Sequence, residues 1–175
     1  MGTESRFLQG SFYLSANLRK TKWQPVCIHA RKFTFASMFS YELEAFDCPA
    51  EPFRDFIFRV LRNEDGVSFK LLWSARDGST YCIVHKNRGL VGLDVCMHSL
   101  VNFKNRRVKG ISSDWYFDDV KLDGGSISTR IRSSISFKNP KYACLSVSRN
   151  KTLSVKRCGA RKSAKRHQFW TLQKV

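Results

Sequence analysis

Residues 142–172 read YACLSVSRNKTLSVKRCGARKSAKRHQFWTL, and the rest of the chain repeats their pattern. The stretch opens with alternation: Cys144, Ser146 and Ser148 on one face, Ala143, Leu145 and Val147 on the other. A polar break follows at Arg149-Asn150-Lys151-Thr152. A second alternating run places Leu153 and Val155 on one face and ends at Cys158. A basic loop then leads into Phe169-Trp170-Thr171-Leu172. Period-two alternation bounded by turn residues predicts three short strands and two connections.

The pattern occurs twice more. Residues 81–96 read YCIVHKNRGLVGLDVC and are followed by Asp114-Trp115-Tyr116-Phe117. Residues 26–48 read VCIHARKFTFASMFSYELEAFDC and are followed by Asp55-Phe56-Ile57-Phe58. Each copy has a cysteine in its first strand, a second cysteine at the end of its second, and an aromatic pair opening its third. All six cysteines occupy these repeated positions. Strands are expected at Gly10–Leu18, Val26–Ala30, Lys32–Ser37, Tyr41–Phe46, Phe56–Leu61, Val67–Ser74, Tyr81–His85, Leu90–Val95, Trp115–Leu122 and Ser126–Arg132, and in the template stretch. Asp65-Gly66 and Asp123-Gly124-Gly125 supply turn chemistry. No segment has helical periodicity free of proline.

About twelve short strands in three four-strand units predict a closed all-β fold. The pattern resembles a β-trefoil, with six barrel strands and three capping hairpins. The expected organisation is one domain over residues 1–175, with pseudo-repeats at about 10–62, 66–122 and 126–175. Phe56, Trp115 and Trp170 match by position and are expected in the core.

With 175 residues the chain can bury a core, and no apolar run reaches the length that spans a bilayer. The first residues, MGTESRFLQGSFYL, show no secretory leader. On that ground the six cysteines are expected to be buried thiols, with three bridges within the repeats as the alternative. The expected compartment is cytoplasmic, with nuclear residence or leaderless export as alternatives. There is no CxxC pair and no Cys/His cluster, so no metal and no cofactor is expected.

The formal net charge is +17 and is unevenly distributed. Residues 1–100 hold 13 basic and 10 acidic side chains, whereas residues 124–175 hold 13 basic and none acidic. Such one-sidedness points to an anionic partner. Lys156, Arg157, Arg161, Lys162, Lys165 and Arg166 belong to one loop. Lys104, Arg106, Arg107 and Lys109 belong to the equivalent loop of repeat two, between the second cysteine and the aromatic strand. Equivalent loops of a threefold fold leave the barrel at one height, so these ten residues are the candidate polyanion-binding set. Neither cluster carries the aromatic residues that stack bases.

Catalytic signatures are missing. His29, His85, His98 and His167 share no metal-ligand spacing, and no Walker loop or Gly-x-Ser-x-Gly elbow occurs. Asp118 and Asp119 are adjacent on an expected strand and should point to opposite faces, which excludes an acid/base couple. The chain is expected to bind rather than catalyse.

Three β-trefoil families share local features with it. GVSFKLLWSARDGSTYCIVHKNRGLVGLDVC, WYFDDVKL and SISTRIRS are similar to the central repeats of the fibroblast growth factors. That resemblance implies a heparin-binding role for the loop Lys156–His167. HQFWTLQ and FRDFIFRVLRNEDGVSFKLLW resemble segments of fascin, which implies docking on the acidic surface of actin filaments. Gln168-Phe169-Trp170 resembles the Gln-x-Trp motif of ricin B-chain lectins, and two cysteines per repeat are similar to their disulfide pattern. Their sugar-binding Asp is absent, because Ile28-His29, Ile83-Val84 and Leu145-Ser146 stand there. The leading expectation is a sulfated glycan or RNA/DNA backbone as partner. A fascin-like role comes second and a lectin third.

Overall fold

The computed structural model describes residues 8–17, 25–36, 38–86, 89–96, 112–134, 143–159 and 166–175. Its strands are β1 (Ser11–Asn17), β2 (Pro25–Phe35), β3 (Met38–Asp47), β4 (Phe58–Arg62), β5 (Phe69–Ser74) and β6 (Thr80–His85). They continue with β7 (Val91–Asp94), β8 (Trp115–Asp123), β9 (Ser126–Ser133), β10 (Cys144–Val147), β11 (Leu153–Lys156) and β12 (Phe169–Lys174). The pairings form a ring: β1 with β4, β4 with β5, β5 with β8, β8 with β9, β9 with β12, and β12 with β1, all antiparallel. The other six strands make three hairpins, β2–β3, β6–β7 and β10–β11. This is the β-trefoil that the alternation predicts.

The alternation turns directly into burial. Phe12, Leu14 and Ala16 of β1 point inward, as do Trp170 and Leu172 of β12, and all are buried. At the first strand of each repeat, Phe12 faces Phe58, Phe69 faces Trp115 and Thr129 faces Trp170. Phe58 therefore holds the place expected for Phe56. Residues Arg54–Phe56 form a 3-10 turn, which delays the strand; Phe56 is buried as expected, but beside the His29 ring at 4.5 Å. The two indoles also tie the barrel to its hairpins. Trp115 Nε1 donates to the Ile83 carbonyl and Trp170 Nε1 to that of Leu145, each at 2.9 Å.

The thiol expectation is overturned. Cys27–Cys48, Cys82–Cys96 and Cys144–Cys158 form disulfides with Cα separations of 4.9, 4.9 and 5.1 Å, and no described cysteine is free. The cause lies in the hairpin register. Cys27 faces Phe46, Cys82 faces Asp94 and Cys144 faces Lys156. In every repeat the second cysteine follows that facing residue by two positions, the diagonal neighbour on the same face. Each bridge closes a loop of 14 to 21 residues. A closed loop of that size stabilises by about 3 kcal/mol through the unfolded chain.

Two further expectations are corrected. Hairpin one has no break at Arg31. Instead, β2 pairs with β3 continuously from Val26↔Asp47 to Phe35↔Met38. From Arg31 to Phe35 the strand has left the core and its residues are exposed. This hairpin ends in exposed Phe33, Phe35 and Met38. The pair Asp118 and Asp119 does not split between faces. The β8–β9 register shifts between Asp118 and Lys121, and Asp119 has a φ of 53°. Both carboxylates thus turn to the same face of β9: Asp118 Oδ2 lies 2.5 Å from Arg132 Nε, and Asp119 Oδ2 lies 3.8 Å from Arg130 Nε.

The hairpins meet over one end of the barrel. The Ala45 amide donates to the Lys151 carbonyl at 3.1 Å, and Leu90 bridges Ser154. Gly89 lies at this junction with a φ of +75°, and a Cβ there would stand 2.6 Å from the Val155 carbonyl oxygen. Gly89→Ala should therefore cost about 2 kcal/mol or more, from left-handed strain plus the clash. A urea titration under non-reducing conditions measures it; an unchanged midpoint would contradict this account of the junction. Alkylation before and after reduction tests the bridges. No thiol should react in the folded, unreduced protein, and peptide mapping should return the three within-repeat pairs.

Candidate anion-binding surface

The C-terminal basic segment is fixed at its root by two devices. β11 ends at Lys156, across from Cys144, and Cys158 is bonded to Cys144 two residues later. Gln168, fully buried at the start of β12, supplies the second device. Its Nε2 donates to the Arg157 carbonyl at 2.7 Å and to Ser146 Oγ at 3.0 Å, and its Oε1 accepts the Gly159 N–H at 2.7 Å. One side chain thus satisfies backbone groups on both sides of Cys158. In this molecule the Gln of the Gln-x-Trp motif works as a staple for the basic segment.

Of the ten candidate residues, Lys156 and Arg157 have described side chains, and both are exposed. Arg166 opens the 3-10 turn Arg166–Gln168 that leads into β12. Lys104, Arg106, Arg107, Lys109, Arg161, Lys162 and Lys165 lie outside the described residues. Their loops leave from equivalent points, after Cys96 and after Cys158.

Repeat three has no acid of its own, so its described ion pairs reach into other repeats. Arg130 approaches Asp119, Arg132 pairs with Asp118, and Lys151 Nζ lies 3.0 Å from Asp47 Oδ1. Lys151 also rests over the Phe46 ring, 5.6 Å from its centroid. Exposed Arg149 and Lys156 have no described ion-pair partner.

His29 Nδ1 lies 3.1 Å from Glu44 Oε1, between Phe46 and Phe56. His85 is 2.6 Å from Ser133 Oγ, and burial pushes its ring below the usual histidine value, so it stays neutral. His98 lies outside the described residues. Among the described residues, no group of three His, Cys, Asp or Glu could hold a metal ion. No described helix is long and apolar enough to cross a membrane.

No protein-family model matches this chain, and no curated protein matches it. Among solved structures, it is similar to one described as "BEL beta-trefoil apo crystal form 3". The TM-score is 0.55 at 14% identity, over 95% of this chain and 94% of that one. The likeness is one of fold: the chain is a β-trefoil.

Gln168→Ala should leave the Gly159 N–H and the Arg157 carbonyl without their partner and cost about 2 to 4 kcal/mol. Hydrogen exchange at the Gly159 amide should accelerate in this variant more than exchange at Leu14 or Leu172. Equal acceleration across the barrel would show a general loss of stability and no staple.

Proposed function

We propose that this protein is a non-catalytic binding module whose C-terminal third docks on an anionic polymer, a sulfated glycan first. One observation carries the reading: residues 124–175 contain 13 basic side chains and no acidic one. The described carboxylates that meet repeat-three cations come from repeats one and two. A surface of solubilising charge needs no such segregation. A polymer with regularly spaced negative groups does benefit from it, since every contact releases counterions. Lys156 and Arg157 stand at the root of the densest cluster, on backbone held by Cys158 and Gln168. Preorganisation of that root lowers the ordering cost of binding. A nucleic-acid backbone offers similar point charges and is the natural competitor.

A second reading, a lectin of the ricin B-chain kind, draws on the three within-repeat disulfides and on buried Gln168. Against it stand the residues at the sugar-binding positions. Ile28, Ile83, Val84 and Leu145 have no exposed surface, Ser146 has almost none, and only His29 reaches the surface. A fascin-like role in the cytoplasm would fit reduced thiols better than three disulfides. Bridges of this kind persist in oxidising surroundings.

Retention on immobilised heparin, compared with a sulfonate exchanger of similar charge density, tests the proposal. The protein should leave heparin at clearly higher salt, and a Lys156→Ala/Arg157→Ala double variant should lose most of that difference. Equal elution from both columns would reduce the charge to a generic one and overturn the reading. Elution from heparin by a neutral sugar at constant salt would favour the lectin instead.

A further inference from the structure

We propose a second anion site, on the side of the barrel between repeats one and two, that takes the tetrahedral oxyanion of a sulfate or phosphate monoester. Strand register builds it. Ser11 faces Arg59 and Arg59 faces Leu72, so three side chains form one row across β1, β4 and β5. The next residues along, Phe12, Phe58 and Leu71, are fully buried in the core. The row therefore lies on the outer face of the barrel. Beside it opens a cleft of about 460 Å³ lined by Ser11, Arg54, Arg59, Leu72, Ser74 and Arg76.

Three arginines from three separate elements line this cleft: Arg54 from the 3-10 turn, Arg59 from β4, and Arg76 from the β5–β6 turn. Among the described residues, no carboxylate lies within ion-pair distance of any of them. The acids next to them in sequence are engaged elsewhere. Asp55 Oδ2 lies 4.0 Å from His29 Nε2, and Asp77 Oδ1 accepts the Ser79 amide of its own turn at 2.9 Å. Like charges lining one cleft repel one another, and one oxyanion relieves that repulsion while accepting several forked N–H donors. Arg59 Nη2 already donates to Ser74 Oγ at 3.3 Å, which draws the guanidinium toward the hydroxyl side of the cleft. The Leu72 floor is apolar and keeps water from one side of a bound ester.

This site shares no residue with the C-terminal third, so the two readings fail independently. The test is a sodium sulfate titration of nitrogen-15-labelled protein, with ionic strength held constant by sodium chloride. The Arg54, Arg59 and Arg76 Nε–Hε signals and the Ser74 and Gly78 amides should shift saturably. Arg59→Gln should weaken the response about tenfold, the scale of one charge-assisted contact. The Lys156→Ala/Arg157→Ala variant should keep the response. If Arg59→Gln disturbs folding, Arg76→Gln on the exposed turn replaces it. An N-sulfated disaccharide and adenosine monophosphate then name the source: tighter binding of the first indicates a glycan, of the second a nucleic acid. The proposal is overturned if the shifts do not saturate, if both variants respond as the parent does, or if neither ester binds more tightly than inorganic sulfate.

Discussion

The pairing of the first barrel strand with the last is the contact on which this molecule depends. Four register pairs, from Phe12↔Lys174 to Ser15↔Thr171, join β1 to β12. Without them the six strands would form an open sheet with two unsatisfied edges. With them every barrel strand has two partners, and Leu14 and Leu172 meet in the core. Closure also sets the place of the basic segment. The residues before β12 must leave where Gln168 enters the barrel wall, and Gln168 in turn holds the root of the β11 exit.

The threefold backbone leaves room for different chemistry at matching places. Tyr13, Lys70 and Arg130 follow the equivalent residues Phe12, Phe69 and Thr129 and share one position on the barrel wall. Lys70 is buried against Asp114 at 2.7 Å, and the same ammonium donates to Asn63 Oδ1 at 2.7 Å. That pair is almost fully desolvated, and removing one partner would strand a buried charge. Arg130 instead lies over the Phe169 ring, 4.8 Å from its centroid, with Asp119 at 3.8 Å. Tyr13 places a phenol there. The repeats share geometry in the barrel interior and differ on its walls.

Fold and site were unequally legible in the sequence. The twelve strands could be read because their inner residues alternate, and the repeated cysteines marked three equivalent hairpins. The bridges were harder, because they depend on the two-residue offset in register. Phe58 replaced Phe56 because a 3-10 turn precedes β4, which a positional match cannot see. The Asp118–Asp119 bulge rests on one positive φ at a residue that is not glycine. The C-terminal basic bias is a property of composition and was visible at once. The arginine cleft was not, because Arg54, Arg59 and Arg76 line one cleft only once β1, β4 and β5 are in register.

The disulfides have a consequence for how this chain meets proteases. A protein with 31 lysines and arginines offers many bonds to enzymes that cut after basic residues. Several of them lie inside the closed loops: Arg31 and Lys32 in the first, Lys86 in the second, and Arg149, Lys151, Lys156 and Arg157 in the third. A cut at any of these leaves both fragments joined through sulfur. The barrel strands flanking each loop keep their partners, so a nicked molecule remains one molecule until it is reduced. The basic hairpins can thus be scissile without the barrel coming apart.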